Sequence, residues 1–143
     1  MKTIKSLLYI AAVAGSLYYI NQLFTVDRTL KNEPAIPTGV SQINQETRQH
    51  LGKKVRLKGI VYNTRYLAIA GYYEVVETTT QQSIFVLCTD FPPQEGTEVE
   101  VTGVLKPLFE FSNTRGLLIR EIQTIPINSG KDSNKMRENI KNL

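Results

Sequence analysis

The stretch GKKVRLKGIV, residues 52–61, returns further along the chain as GTEVEVTGVL, residues 96–105. Both copies open on a glycine, alternate apolar and polar side chains, and set a second glycine among the apolar positions. A period of two sends successive side chains to opposite faces of a strand, so each copy has one face fit for a core. That face is Val55, Leu57, Gly59 and Val61 in the first copy, and Val99, Val101, Gly103 and Leu105 in the second. An interior glycine weakens a strand and marks a place where another backbone passes close or the sheet bends sharply. Two such strands describe a small barrel that bends to close.

Three more runs carry strand signals, at 68–77, 83–89 and 117–125, with the repeats themselves extending over 52–61 and 97–106. A polar turn at 78–82 and the proline-bearing connection 90–96 separate them. The third strand, SIFVLCT, is apolar on both faces, the pattern of a strand covered on both sides. The runs VRLKGIV, FVLCTD leading into PPQEG, and VEVTGVL resemble the OB-fold superfamily, as found in bacterial nucleic-acid-binding-like domains. The resemblance covers 52–126 and implies a mainly β protein with a five-stranded Greek-key barrel. In that fold the first and fourth strands are neighbours, which sets Lys54, Arg56 and Lys58 opposite Glu98 and Glu100. Such cross-strand pairs contribute roughly 0.2–1 kcal/mol each and oppose register slips. The short connection 90–96 leaves no room for the helix that often plugs such a barrel, so Tyr62, Phe109 and Phe111 are expected to close its ends.

The segment ahead of the barrel has a different character. After Lys2 and Lys5 the chain is uncharged from 6 to 26 and mostly apolar, about the 20 residues that a membrane-crossing helix needs. The apolar residues go all the way round a helix rather than forming a stripe, which excludes an ordinary core helix. The two lysines place the N-terminus on the cytoplasmic side, Tyr18 and Tyr19 suit the far interface, and residues 4–24 would meet lipid. The barrel is then extracytoplasmic, in a periplasm or at a cell surface. A cleaved signal peptide is the rival, with Ala12-Val13-Ala14 as its cleavage site, but its apolar part would be short. The expected organisation is an anchor or signal segment at 1–26, a linker with a short helix near 41–50 at 27–50, the barrel at 51–126, and a polar basic tail at 127–143. The net charge of +4 belongs to the ends, because residues 51–126 carry eight basic and eight acidic side chains.

Function is expected at the two connections that border an OB ligand face, 62–66 and 108–116. Each mixes aromatics with arginine: Tyr62, Arg65 and Tyr66 in the first, Phe109, Phe111 and Arg115 in the second. Tyr72 joins them if it, rather than its neighbour Tyr73, points outward. These groups stack bases and hold phosphates, and they equally suit a peptide or sugar. No nucleophile has a histidine partner, the carboxylates are scattered, and the sole histidine, His50, is expected at the surface. The sole cysteine, Cys88, is expected to be a small core residue. The expectation is a non-enzymatic binding module without cofactor or metal, taking a protein or other envelope component. Single-stranded nucleic acid is the alternative. A haem carrier, which also joins one anchor to an OB domain, is disfavoured because no histidine follows the barrel.

Overall fold

A computed structural model describes residues 2–111 and 114–127, with side chains for 8–108 and 116–127. The repeats form two strands of 14 residues, β2 (Lys54–Leu67) and β5 (Glu98–Phe111), joined by β3 (Ala70–Val76), β4 (Ser83–Cys88) and β6 (Thr114–Pro126). A two-residue β1 (Ile36–Pro37) runs parallel to the start of β2. The sheet order is β1-β2-β3-β4-β6-β5, and pairing of β2 with β5 closes the barrel. All contacts are antiparallel except β1 with β2 and β4 with β6. The expected inward set is buried throughout, and Tyr73, Val75, Val86 and Ile119 complete the lining.

The two interior glycines sit where the sheet folds tightest. A Cβ on Gly59 would stand 2.5 Å from the Val76 carbonyl oxygen and 2.6 Å from Val75 Cγ1. On Gly103 it would stand 2.5 Å from the Arg120 carbonyl oxygen and run into the Ile119 side chain. Real side chains do not approach so closely, so the barrel closes only because these two positions are bare.

Register corrects the expected charge pairing. Antiparallel strands meet head to tail, so Lys54 faces Val104, Arg56 faces Thr102 and Lys58 faces Glu100. Only the last pair joins opposite charges, at 3.5 Å, while Glu98 lies opposite Ile60. Lys54 turns instead to the carbonyls of Lys31 and Glu33, at 2.8 and 2.9 Å.

The barrel also has a plug, contrary to expectation, and it comes before the strands rather than between the third and fourth. Two short helices, α3 (Val40–Gln45) and α4 (Thr47–His50), follow β1, and Val40 and Ile43 are fully buried in the core. Gly39 is the N-cap of α3. The Glu77 carboxylate, from the end of β3, accepts the Ser41 N–H at 3.2 Å and also binds the Thr80 hydroxyl. His50 is buried at 6% exposure, not at the surface, and neither ring nitrogen has a hydrogen-bond partner. Its nearest charge is the Glu46 carboxylate, 3.7 Å from Nε2. Residues 27–50, expected as a linker, thus carry β1, the plug and a five-residue α2 (Arg28–Asn32).

The N-terminal helix α1 (Lys2–Phe24) leaves Leu8, Tyr9, Ile10, Leu17 and Tyr18 more than 60% exposed. Among the described residues no helix is long and apolar enough to cross a membrane. The tail beyond residue 127 lies outside the described residues.

Two tests address closure and plug. Gly59→Ala should lower the unfolding free energy by about 1–3 kcal/mol, the usual cost of overpacking, in denaturant titrations. Burial works to raise the Glu77 pKa, but hydrogen bonds from Thr80, Ser41 and the Val40 N–H more than offset it and hold the carboxyl below its ordinary 4.5. A depressed carboxyl stabilises the fold above its unfolded pKa and loses that contribution as pH falls through the folded value. Glu77→Gln should therefore cost about 1 kcal/mol at neutral pH, the worth of a helix cap. The wild-type and variant stability curves should converge below pH 4.5.

Candidate functional site

The connection expected at 62–66 is not a loop. β2 runs on to Leu67 and pairs with β3 as a two-stranded ribbon that turns at Ala68 and Ile69. A bulge between Tyr62 and Arg65, with Asn63 at φ +49°, restores the outward direction for Arg65. The second connection is also strand: Phe109 pairs with Gly116 and Phe111 with Thr114 across β5 and β6. The side chains of Phe109, Phe111 and Arg115 lie outside the described residues.

The ribbon distributes the expected residues over two places. Tyr62 lies outside the barrel, 48% exposed and paired with Glu74, so it does not plug an end. Arg65 is exposed and in register with Tyr72. Tyr72 faces outward and is half-buried, whereas Tyr73 is fully buried and its hydroxyl meets Glu121 Oε2 at 2.8 Å and Thr124 Oγ1 at 2.7 Å. Burial, then the Glu121 charge, pushes the Tyr73 phenol far above its ordinary range. Tyr66 is elsewhere, at the ribbon end, stacked on Phe91 with centroids 4.5 Å apart.

Around Tyr72 the outer surface is an apolar groove of about 340 Å³, lined by Phe85, Leu87, Leu108 and Leu118 as well as backbone near Val86. Sequence reasoning missed these residues, although its signal was present. SIFVLC alternates Ile84, Val86 and Cys88 inward with Phe85 and Leu87 outward, and nothing covers the outward pair fully: Phe85 is 43% exposed. A strand apolar on both faces was read as covered on both; here one apolar face is left open.

Cations frame the groove on the side of α1. Arg120, 7% exposed on β6, donates from Nη1 to the Leu87 carbonyl and from Nε to the Phe24 carbonyl, each at 3.1 Å, with its guanidinium 5.7 Å from the Phe24 ring. Lys106, opposite Leu118, donates to the carbonyls of Gln22 and Thr25. The Tyr19 hydroxyl donates to the carbonyl of Leu108, itself a groove residue. Helix C-termini leave carbonyls unsatisfied and carry partial negative charge, and α1 has no basic residue of its own in the last turn. Burial pulls the pKa of both Lys106 and Arg120 below the ordinary value. Neither has a carboxylate ion pair among the described residues.

Comparison with solved structures places this architecture. The chain is similar to OBody AM3L09 bound to hen egg-white lysozyme, with a TM-score of 0.53, 14% identity, and coverage of 67% of this chain and 98% of that one. For OBody AM2EP06 bound to the same lysozyme the values are 0.54, 14%, 67% and 96%. The fold is an OB-type barrel. A putative aspartyl-tRNA synthetase from Leishmania major Friedlin also matches, at TM-score 0.49 and 13% identity, over 71% of this chain and 23% of that one. No protein-family model and no curated protein matches the sequence. In this barrel the groove falls on the outward face of the second and third barrel strands, β3 and β4, which is the usual ligand face of the fold.

Cys88 packs inward behind this face at 2% exposure, donating its thiol to the Asp90 carbonyl at 3.2 Å. Burial pushes its pKa up to about 11. The thiolate needed for alkylation is therefore scarce at neutral pH. Iodoacetamide should leave Cys88 unmodified in the folded protein and label it rapidly in denaturant, with mass spectrometry as the readout.

Proposed function

We propose that this chain is a non-enzymatic binding module, held at a membrane by α1 and displaying its OB barrel outside the cytoplasm, where the groove takes an apolar or amphiphilic envelope component. The observation that carries the reading is the open apolar face around Tyr72, Phe85 and Leu87. Ligand sites are concave, mostly apolar and few, and a volume near 340 Å³ lies at the small end of their range. Two barrels of like fold are bound to a protein, lysozyme, so a barrel of this shape can present a recognition face. The membrane part rests on the uncharged stretch 6–26 and on the exposure of residues 8–22 of α1, since an uncovered apolar helix surface is costly in water.

Single-stranded nucleic acid is the second reading, favoured by Tyr72, Phe85 and Tyr62 beside Arg65 on the outer face. Against it, the two cations nearest the groove spend hydrogen-bond donors on α1 carbonyls, and residues 51–126 are neutral overall. A polyanion needs a continuous cationic track.

Two measurements on the full chain decide. It should stay with the membrane pellet through alkaline extraction, and protease should reach the barrel only from the outer side of intact cells. In detergent, labelled single-stranded DNA and RNA should show no saturable anisotropy change at low salt. Tight, steeply salt-dependent binding that is lost with Arg65→Ala or Tyr72→Ala would replace the first reading with the second.

A further inference from the structure

The groove and the end of α1 are one continuous piece of structure. Tyr19 is bonded to Leu108 of the groove floor, Lys106 stands opposite Leu118, and Arg120 bonds the carbonyl of Leu87. Each link joins a residue of the helix end or its cap to a residue lining the groove. The groove therefore keeps a fixed height relative to α1.

That height has a chemical meaning if α1 lies in a bilayer, and in this respect the inference rests on the anchor reading above. Tyr18 and Tyr19 suit the boundary between hydrocarbon and headgroups. Gln22, Phe24 and Thr25, whose carbonyls the cations hold, come three to six residues later. At 1.5 Å per residue this is about 5–9 Å further out. A headgroup layer is roughly 5–8 Å deep, the difference between the hydrocarbon core and the whole bilayer shared between two faces. Lys106 and Arg120 thus stand at the level of lipid phosphates, and Leu108, bonded to Tyr19, at the level where acyl chains begin.

The local charge fits one small anion. Lys106 faces a helix terminus worth about half a negative charge and has no carboxylate ion pair among the described residues, whereas Arg120 also feels the Glu121 and Asp90 carboxylates. The positive charge left at Lys106 suits one phosphate contact. Beside it the groove presents Leu108, Leu118, Phe85 and Leu87, an apolar path leading away from the membrane.

We propose that the groove binds one acyl chain of an anionic phospholipid from the bilayer that holds α1, with the lipid phosphate against the remaining donor of Lys106. The lipid lifts this chain out of the bilayer along Leu108 and Leu118 towards Phe85 and Leu87. Its volume admits part of one chain rather than a whole lipid.

The test places the full chain in nanodiscs of phosphatidylcholine containing a minor fraction of phosphatidylglycerol with a photoreactive diazirine at the end of one acyl chain. Irradiation and peptide mass spectrometry should find adducts on the segments 83–88 and 116–120 as well as on α1. Moving the diazirine to phosphatidylcholine, or substituting Lys106→Gln, should cut groove labelling about fivefold, the worth of one basic residue at an anionic surface. Phe85→Glu, at an exposed position that leaves the barrel lining intact, should abolish it with an unchanged circular dichroism spectrum. Adducts confined to α1 would overturn the lipid site while the anchor stands. Equal groove labelling from both lipids would overturn the anionic specificity. Failure of the chain to enter nanodiscs would overturn the anchor and the lipid site together.

Discussion

The barrel depends on two close backbone approaches, at Gly59 and Gly103. Each is the point where an inward-facing position of one long strand comes within 2.5 Å, measured from a would-be Cβ, of a neighbouring strand's carbonyl oxygen. Everything downstream of closure follows from them. Once β2 and β5 pair across their first halves, the surplus length of each strand emerges from the barrel in opposite directions. The first surplus becomes the β2–β3 ribbon and the second the β5–β6 hairpin, and between them lies the face that carries the groove. The repeat in the sequence is thus one device used twice, a strand with a bare inward position.

The period-two alternation made the inward face legible residue by residue, because burial on one side of a sheet admits only one phase. The same pattern could not reveal register. Lys54, Arg56 and Lys58 look complementary to Glu98 and Glu100 when the repeats are laid side by side, but antiparallel pairing reverses one of them. Of the three, only Lys58 then lies opposite a carboxylate in register. Strand ends were less legible still. Tyr62, Arg65 and Tyr66 were read as a loop because polar and aromatic residues alternate there without burial, and a ribbon outside the barrel buries neither face. A short helix near 41–50 was legible but its role as plug was not: α3 buries just Val40 and Ile43 and α4 just His50, too few side chains to show which face meets the core.

Within the candidate site, Tyr72 and Arg65 were legible as types and their shared face follows from register. Phe85 and Leu87 were hidden by their own apolarity. A side chain that is greasy on an outer face reads as covered, and only the arrangement of neighbouring elements shows that the cover is absent. Tyr66 had the opposite fate, since its ring is already stacked on Phe91 and so competes poorly as a free platform.

The junction with α1 ties these parts together electrostatically. A helix end needs donors for its last carbonyls, and this one takes them from Lys106 on β5 and Arg120 on β6. Burying a guanidinium is costly, and here carbonyl oxygens, the face of Phe24 and the charges of Glu121 and Asp90 offset part of that cost. Hydrogen bonds to neutral carbonyls satisfy the donors without cancelling the charge. Lys106, which has no carboxylate ion pair among the described residues, therefore does more than hold the helix: it leaves positive charge beside an open apolar groove, where an amphiphilic anion finds both halves of its own chemistry.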